Sequence, residues 1–361
     1  MLTENNAKES ELASFINIDP LLQNMPNITL ALFLLLEKNN PESFWKPYID
    51  ILPEKYSTIL YFSTEEIAEL KPSPVFESSL KLYRSIARQY AYFYNKIHSL
   101  DIPVLKKLQD VFTYNNYRWA VSTVMTRQNN IQLADSEVTA FIPLWDMCNH
   151  EHGKVTTDFN KDLNRSECYA VREFKSGEQI FIFYGARPNA DLFLHNGFVY
   201  PNNKYDSLSL SLGISSSDPL RENKALLLNK LGLAGVTHFN LYIGDNPLSA
   251  ELLAFIRIFN MNQDELTKWS ERGLPGDLVS SEPSSFQLVG ADVDRRAYTY
   301  LLTRCKLLLA SYKNTSENVD SINRKNIKLL KECEVQILES AIRYLEDFIL
   351  KLPAGEEKSD A

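Results

Sequence analysis

The chain has 361 residues, of which 44% are hydrophobic and 11% aromatic, and its formal net charge is −8. This length and composition predict a globular protein of two domains. The acidic balance argues against nucleic acid as the main partner, because phosphate binding requires a basic surface. The longest apolar run, Leu30 to Leu36, is far shorter than the roughly 20 residues that cross a bilayer, so we expect no membrane span.

The first part of the chain has the spacing of helices. Residues 1–12 are polar and are expected to be disordered. Apolar positions recur at helical intervals in three segments, and Thr113 is a suitable N-cap for the last of them. The predicted helices are Met25 to Lys38, Phe76 to Ile97 and Tyr114 to Arg127, with a short acidic helix at Glu65 to Leu70.

The pattern then changes to strands and returns to helices. We expect strands at Val138 to Leu144, Tyr169 to Phe174, Gln179 to Tyr184 and Tyr205 to Ile214. The remainder has helical spacing again. The predicted helices there are Asn223 to Leu231, Ser249 to Phe259, Asp264 to Trp269, Asp294 to Tyr312 and Asn323 to Leu352.

The cysteine and histidine pattern predicts neither disulfides nor a metal site. The four cysteines are scattered without a Cys-x-x-Cys pair, which favours free thiols in a reducing compartment. Cys148, His150 and His152 are close in sequence, but the other histidines lie in unrelated segments, and zinc needs three or four converging ligands. No Gly-x-Ser-x-Gly elbow and no phosphate-binding glycine loop occur. The N-terminus has no secretory signal, so we expect a cytoplasmic protein that can also be nuclear.

Two segments carry the most specific signal. Residues 142 to 150 read Ile-Pro-Leu-Trp-Asp-Met-Cys-Asn-His, and residues 174 to 185 read Phe-Lys-Ser-Gly-Glu-Gln-Ile-Phe-Ile-Phe-Tyr-Gly. Together with residues 112–129 and 195–198, they resemble the catalytic half of SET-domain methyltransferases of the Rubisco-lysine-methyltransferase-like class. Within that class the chain is most similar to the actin-histidine N-methyltransferases, over roughly residues 20–345.

This resemblance implies a pocket for S-adenosyl-L-methionine. Arg127 would pair with the methionine carboxylate, as a forked guanidinium can. Asn149 and His150 would bind the adenosine and amino-acid ends, and Phe198 would pack near the adenine. The predicted cofactor-binding residues are Arg127, Asp146, Met147, Cys148, Asn149, His150, Asn196, Gly197 and Phe198.

The resemblance also implies the residues that act on the acceptor. The predicted catalytic residues are Tyr184 and Asn129. Tyr184 would have a positional role, because a phenol with a pKa near 10 is a poor base at neutral pH. Asn129 would orient an imidazole ring by a hydrogen bond, which favours histidine over lysine as the acceptor. The predicted substrate-binding residues are Asn129, Trp145, Ile182, Tyr184 and Arg187.

One element of the family pattern is not found in the sequence. The class opens its SET domain with a Gly-x-Gly strand that contacts the cofactor, whereas the first glycine here is Gly153. Two explanations stay open: a short isoform or incomplete product of an active enzyme, and a shortened protein that binds cofactor weakly or not at all. The alternatives to a histidine methyltransferase are therefore a lysine methyltransferase of the same fold and an inactive module that binds actin or another protein.

The sequence thus predicts an α+β fold, with an N-terminally truncated SET-domain β core, a helical insert and an all-α C-terminal substrate-binding domain. We expect a helical insert at 13–127, the catalytic half at 128–204, the helical domain at 205–352 and a disordered tail at 353–361. The predicted protein is a monomer that uses S-adenosyl-L-methionine and acts on actin, with no metal, nucleic acid or membrane partner.

Overall fold

A computed structural model describes residues 1–133, 136–163, 165–170, 172–272, 278, 290–312 and 319–353. The chain divides into two compact units. The first comprises residues 1–68, 77–187 and 191–199, and the second comprises residues 69–76, 188–190 and 200–361. From residue 354 onward, the predicted disordered tail lies outside the described residues.

The four helices predicted before residue 128 lie within a few residues of their expected bounds, and the structure adds short helices that were not predicted. Thr113 caps Tyr114–Arg127 by accepting a hydrogen bond from the Asn116 backbone N–H. Val75–Ser99 is amphipathic, and Pro26–Lys38 is buried along most of its length. The α-helices up to residue 199 are α1 Glu4–Glu9, α2 Ala13–Ile16, α3 Pro20–Asn24, α4 Pro26–Lys38, α5 Lys46–Ile49, α6 Thr64–Glu69, α7 Val75–Ser99, α8 Pro103–Gln109, α9 Tyr114–Arg127 and α10 Asn189–Asp191, followed by a π-helical turn at Leu192–Asn196.

The strands of the first unit are short. The described sheets are β1-β3-β2, a parallel pair β4-β7 and a hairpin β5-β6. Their bounds are β1 Leu2–Thr3, β2 Asn129–Leu133, β3 Ser136–Phe141, β4 Asn149–His150, β5 Thr157–Asn160, β6 Arg165–Cys168 and β7 Phe181–Ile182.

The N-terminal segment differs from the sequence prediction of a disordered residue range 1–12. Leu2 pairs with Phe141 and Thr3 with Ala140, and Thr3 then forms a capping box with Asn6 at the start of α1. The side chains of Leu2, Ala7 and Leu12 are fully buried. Burial of apolar side chains and a sheet partner order a segment whose local composition is polar.

Two strand predictions also need correction. The structure has no strand at Tyr169–Phe174 among the residues that it describes there, and the hairpin β5-β6 lies just before it in the chain. The predicted strand Gln179–Tyr184 is reduced to Phe181–Ile182, which pairs with β4. Propensity alone does not locate strands, because pairing depends on a distant partner.

The second unit has a helical core and one hairpin. Leu208 and Leu210 of β8 alternate inward and face Phe239 and Leu241 of β9, so the unit differs from an all-α domain. The long segment of this unit begins at residue 200, where the sequence predicts a boundary at 205. Its further elements are β8 Ser207–Ser211, α11 Arg221–Lys230, β9 His238–Tyr242, α12 Ala250–Asn260, α13 Gln263–Arg272, α14 Ala291–Ser311 and α15 Ile322–Lys351.

A buried ion pair ties α12 to α14. Arg257 Nε lies 2.7 Å from Asp294 Oδ1, both side chains are fully buried, and Arg257 also donates to the Leu278 carbonyl. Because the guanidinium nitrogens donate hydrogen bonds to Asp294 and Leu278, the cost of burying the charge in an apolar core is offset. Of the helices that the structure describes, none is long and apolar enough to cross a membrane.

Candidate functional site

A cavity of about 920 Å³ opens in the first unit. This volume is within the range of small-molecule sites, and polar side chains are at least as numerous in the wall as apolar ones. It is lined from α4, α7, α9, β2, the β5-β6 hairpin and the residues around β7. The predicted site residues that line it are Arg127, Asn129, Trp145, Asp146, Ile182, Tyr184, Arg187 and Asn196.

Arg127 and Asp146 form the charged part of the wall. Arg127 is the last residue of α9, and Asp146 lies in the 3₁₀ turn Trp145–Met147. Arg127 Nη1 donates to the Asp146 carbonyl oxygen at 2.7 Å and lies 3.3 Å from the Met147 sulfur. The same nitrogen is 3.9 Å from the carboxylate oxygen Oδ1 of Asp146. The turn therefore fixes the guanidinium through Nη1, and a further hydrogen bond joins the Arg127 side chain to the Tyr56 hydroxyl.

Arg127 and Asp146 each have one buried polar atom without a hydrogen-bond partner in the part of the chain that the structure describes. Among the described residues, Arg127 Nε and Asp146 Oδ1 have no hydrogen-bond partner. Buried polar atoms without partners are costly, and these two belong to side chains that line the cavity. One orphan is a cationic donor and the other an anionic acceptor. This combination suits the carboxylate and ammonium groups of an α-amino acid.

Burial raises the pKa of the Asp146 carboxyl to about 6, against the lowering effects of its hydrogen bond from Tyr48 and of the Arg127 charge. The side chain is ionised at neutral pH and becomes protonated in mildly acidic solution. A positively charged ligand group that contacts Oδ1 is therefore bound most tightly above this pKa.

Tyr184 lies two residues after the end of β7 and lines the same cavity. The hydroxyl donates to the Cys148 carbonyl oxygen at 2.7 Å. Burial raises the pKa of the phenol, which keeps Tyr184 neutral at physiological pH. With its proton committed to Cys148, the phenol oxygen presents lone pairs to the cavity. It can orient polar or weakly acidic C–H groups but cannot act as a strong base.

Asn129 and Trp145 are each held by one hydrogen bond. The amide nitrogen of Asn129 donates to the Arg127 carbonyl at 3.1 Å, so its amide oxygen is the atom that can accept from a ligand. The Trp145 indole N–H donates to Thr157 Oγ1 of β5, which fixes the ring as a flat wall.

The predicted residues Asn149 and His150 are not among the residues that line this cavity; Asn149 is exposed and His150 is buried. They form β4, and His150 Nδ1 accepts the Tyr184 backbone N–H at 3.1 Å. The His150 ring also packs against Phe183 and Phe198, with centroids 5.7 and 6.2 Å apart. Burial lowers the pKa of His150, which favours the neutral ring. These contacts position Tyr184.

Of the remaining predicted cofactor residues, Asn196 lines the cavity and the others do not. Asn196 reaches the cavity and accepts from Arg187 Nη1 at 2.7 Å, while its own amide nitrogen donates to the Thr126 carbonyl. Burial lowers the pKa of the Arg187 guanidinium. The cavity lining does not include Met147, Cys148, Asn149, His150, Gly197 and Phe198.

Two contributors were not predicted from the sequence. Tyr48 of α5 donates to Asp146 Oδ2, and Thr157 of β5 accepts from Trp145. The buried Asp146 requires a donor, but nothing in the sequence distinguishes Tyr48 from the other 17 of the 18 tyrosines. Thr157 could have been found only if the hairpin itself had been predicted. The described residues contain no group of three or more His, Cys, Asp or Glu side chains that could hold a metal ion.

Comparison with solved structures gives the fold. The SET domain of LSMT bound to lysine and AdoHcy matches 97% of this chain and 80% of its own, with a TM-score of 0.77 and 22% identity. Rubisco LSMT bound to AdoMet matches the same shares with a TM-score of 0.74. Residues 215–356 match the family model of the Rubisco LSMT substrate-binding domain.

Sequence comparison gives nearer relatives. The actin-histidine N-methyltransferase of Canis lupus familiaris is 43% identical over 354 residues, and that of Homo sapiens is 42% identical over 353 residues. Each match covers 95% of this chain. The chain spans about 60% of the length of these curated relatives. The chain therefore has the SET-domain fold of LSMT, carries a domain of the Rubisco LSMT substrate-binding family at residues 215–356, and is similar to actin-histidine N-methyltransferases over almost its whole length.

Proposed function

We propose that the chain is an S-adenosyl-L-methionine-dependent protein-histidine N-methyltransferase that acts on actin. The main support for the proposal is that one cavity is lined both by charged side chains and by side chains that could contact a methyl acceptor. Arg127 and Asp146 suit an amino-acid ligand, and Tyr184 and Asn129 suit an aromatic nitrogen acceptor. The names of the relatives supply the substrate, and since the chain spans only part of their length, activity and substrate are both proposed.

The residues of the wall fit the methyl donor. Arg127 would bind its carboxylate through Nε, and Asp146 would bind its ammonium through Oδ1, which satisfies both orphaned atoms. Arg187, held by Asn196, adds a second cationic group to the lining. When bound, S-adenosyl-L-methionine supplies a methyl group on a positively charged sulfur. The predicted cofactor-binding roles of Met147, Cys148, Asn149, His150, Gly197 and Phe198 stay predictions.

The acceptor side of the wall would orient an imidazole. Transfer is an in-line displacement, so one ring nitrogen must face the methyl group at close range. A histidine with a pKa near 6.5 is largely neutral at pH 7 and needs only the correct ring orientation. The Asn129 amide oxygen would accept the N–H of one nitrogen and thereby turn the other toward the methyl group. Trp145, Ile182 and Tyr184 would enclose the ring.

The first test is binding of S-adenosyl-L-methionine to the full 361-residue chain by calorimetry. Arg127→Gln should abolish measurable binding because it removes the charge that pairs with the carboxylate. The matched control is Arg118→Gln on the same helix, whose guanidinium donates to the Leu60 carbonyl and stacks on Tyr61. A folded wild-type chain without affinity would support the inactive-module alternative.

The second test identifies the acceptor. Actin is incubated with the chain and methyl-labelled S-adenosyl-L-methionine, then hydrolysed, and the labelled amino acid is identified by chromatography. Methylhistidine is the expected product. Methyllysine would replace the proposal with the lysine alternative, and cofactor binding without label in actin would exclude actin as the substrate.

A further inference from the structure

Tyr48 lies outside the cavity but contacts its charged wall. It is on the short helix α5, its side chain is buried, and its ring packs on Phe141 with centroids 6.1 Å apart. Its hydroxyl donates to Asp146 Oδ2 across 98 positions of sequence. A buried tyrosine usually needs a polar partner, and here the partner is a carboxylate that lines the cavity.

The two oxygens of Asp146 therefore have different roles. Oδ2 is committed to Tyr48, whereas Oδ1 has no hydrogen bond within the described chain and lies 3.9 Å from Arg127 Nη1. A carboxylate with one oxygen fixed cannot rotate freely. The bond to Tyr48 thus determines which oxygen remains for Arg127 and for a ligand.

We infer that Tyr48 is a positioning residue for the amino-acid end of the methyl donor, acting through Asp146 by holding its carboxylate ionised with Oδ1 unused. This inference rests on the proposed function. It adds a residue of the helical segment, remote in sequence from the motif residues, to those that determine donor affinity.

The charged and titratable groups around Asp146 give this role a signature in pH. Arg127 favours the ionised carboxylate, burial opposes it, and Tyr56, Cys148 and Tyr184 are the other titratable groups that face it. The hydrogen bond from Tyr48 lowers the pKa of Asp146, which burial raises to about 6 overall. Removing the hydroxyl therefore moves that pKa upward. Because a ligand ammonium requires the ionised form, donor affinity would then be lost at a higher pH.

The test compares Tyr48→Phe with wild type in calorimetric titrations with S-adenosylhomocysteine from pH 5.5 to 8. Losing a hydrogen bond to a charged group should displace the affinity profile upward by about one pH unit. We then expect about fivefold weaker binding at pH 6 and less than a twofold change at pH 8. The ligand's own amino group titrates equally for all variants.

Tyr92→Phe is the matched control. Tyr92 donates to Asp19 Oδ2 at 2.7 Å, so the substitution removes the same kind of bond to a buried aspartate away from the cavity. Its profile should superimpose on that of wild type. A Tyr48→Phe profile identical to wild type, or weakened equally at every pH, would overturn the inference, because the second result is that of a purely structural contact.

A second measurement does not use the ligand. Carboxyl ¹³C NMR of the free protein should show Asp146 titrating at a higher pH in Tyr48→Phe than in wild type, and an unchanged titration would contradict the inference. If wild type binds no S-adenosylhomocysteine at any pH, the proposed function fails, and the inference fails with it for that separate and recognisable reason.

Discussion

At the scale of single residues, the site depends on polar atoms that already have one partner each. Tyr184 donates to Cys148, Asn129 to Arg127 and Trp145 to Thr157. In each case the hydrogen-bond donor of the side chain is used within the protein, and this bond fixes the orientation of the side chain. What remains toward the cavity is one acceptor on Tyr184, one on Asn129 and the flat indole of Trp145. Such preorganisation avoids reorientation when the ligand binds.

Tyr184→Phe tests the positional role of the phenol. The ring stays, so the fold and the affinity for S-adenosyl-L-methionine should change little. The rate of methyl transfer should fall by about tenfold or more, because an oxygen that contacts the reacting groups is lost. Single-turnover transfer to actin measures the rate, and the exposed Tyr169→Phe is the control. A rate equal to that of wild type would remove Tyr184 from the mechanism.

Asn129→Leu tests the choice of acceptor. The substitution keeps the volume but removes the amide oxygen that would orient an imidazole. We expect histidine methylation to fall about tenfold while S-adenosyl-L-methionine affinity stays within about threefold. The measurements are label transfer and calorimetry on one preparation. Undiminished transfer would show that some other group orients the acceptor.

At the scale of elements, the backbone at the end of the π-helical turn Leu192–Asn196 lies very close to the backbone of Ser57 and Thr58. Gly197 has φ of +78° and accepts a hydrogen bond from the Ser57 hydroxyl at 2.7 Å. A Cβ atom there would lie 2.7 Å from the Ser57 carbonyl carbon and 2.9 Å from the Thr58 nitrogen. Only glycine satisfies both the left-handed conformation and the close backbone approach.

Gly197→Ala should therefore destabilise the first unit by about 2–4 kcal/mol, from backbone strain and overlap together. Gly177→Ala is the matched control, since Gly177 has φ of +84° but nothing within 4 Å of an added Cβ. That control should cost only about 1 kcal/mol. Urea unfolding followed by circular dichroism measures both, and equal losses would mean that the backbone near Ser57 moves aside.

At the scale of the whole molecule, the pH dependence of stability has an identifiable source in the second unit. Glu334 is buried, and its carboxylate accepts from Ser73 at 2.7 Å and from Tyr312 at 3.0 Å. Burial nevertheless raises the pKa of Glu334 to about 7. An acid whose pKa is higher in the folded state loses stability as pH rises from its unfolded pKa to its folded pKa.

Wild-type stability should accordingly fall by about 3 kcal/mol between pH 4.5 and pH 7 on account of Glu334, and then level off. Glu334→Gln should remove this component, because the amide stays neutral; its oxygen can accept from one hydroxyl while its NH₂ donates to the other, so only one hydrogen bond reverses. The measurement is the difference in unfolding free energy between variant and wild type across that pH range. Glu339→Gln, at an exposed position of the same helix, is the control, and parallel pH profiles for wild type and Glu334→Gln would contradict the assignment.

The sequence by itself determined the longer helices and the fold class. Helical spacing and local caps such as Thr113 depend on residues within a few positions, so they can be recognised without a partner. The segments around Asp146 and Tyr184 were specific enough to predict the SET-type fold, and the comparisons confirm that class and its substrate-binding domain. In the structure, eight of the predicted site residues line one cavity.

Only the tertiary structure decided the short strands and the bonds between distant segments. Strands of two residues, such as β1 and β4, have no periodic signal and exist because a remote strand pairs with them. The bond between Tyr48 and Asp146 joins positions 98 residues apart, and no local preference encodes it. The sequence specifies which side chains are available, whereas long-range pairing in a buried environment determines which of them meet and with what pKa.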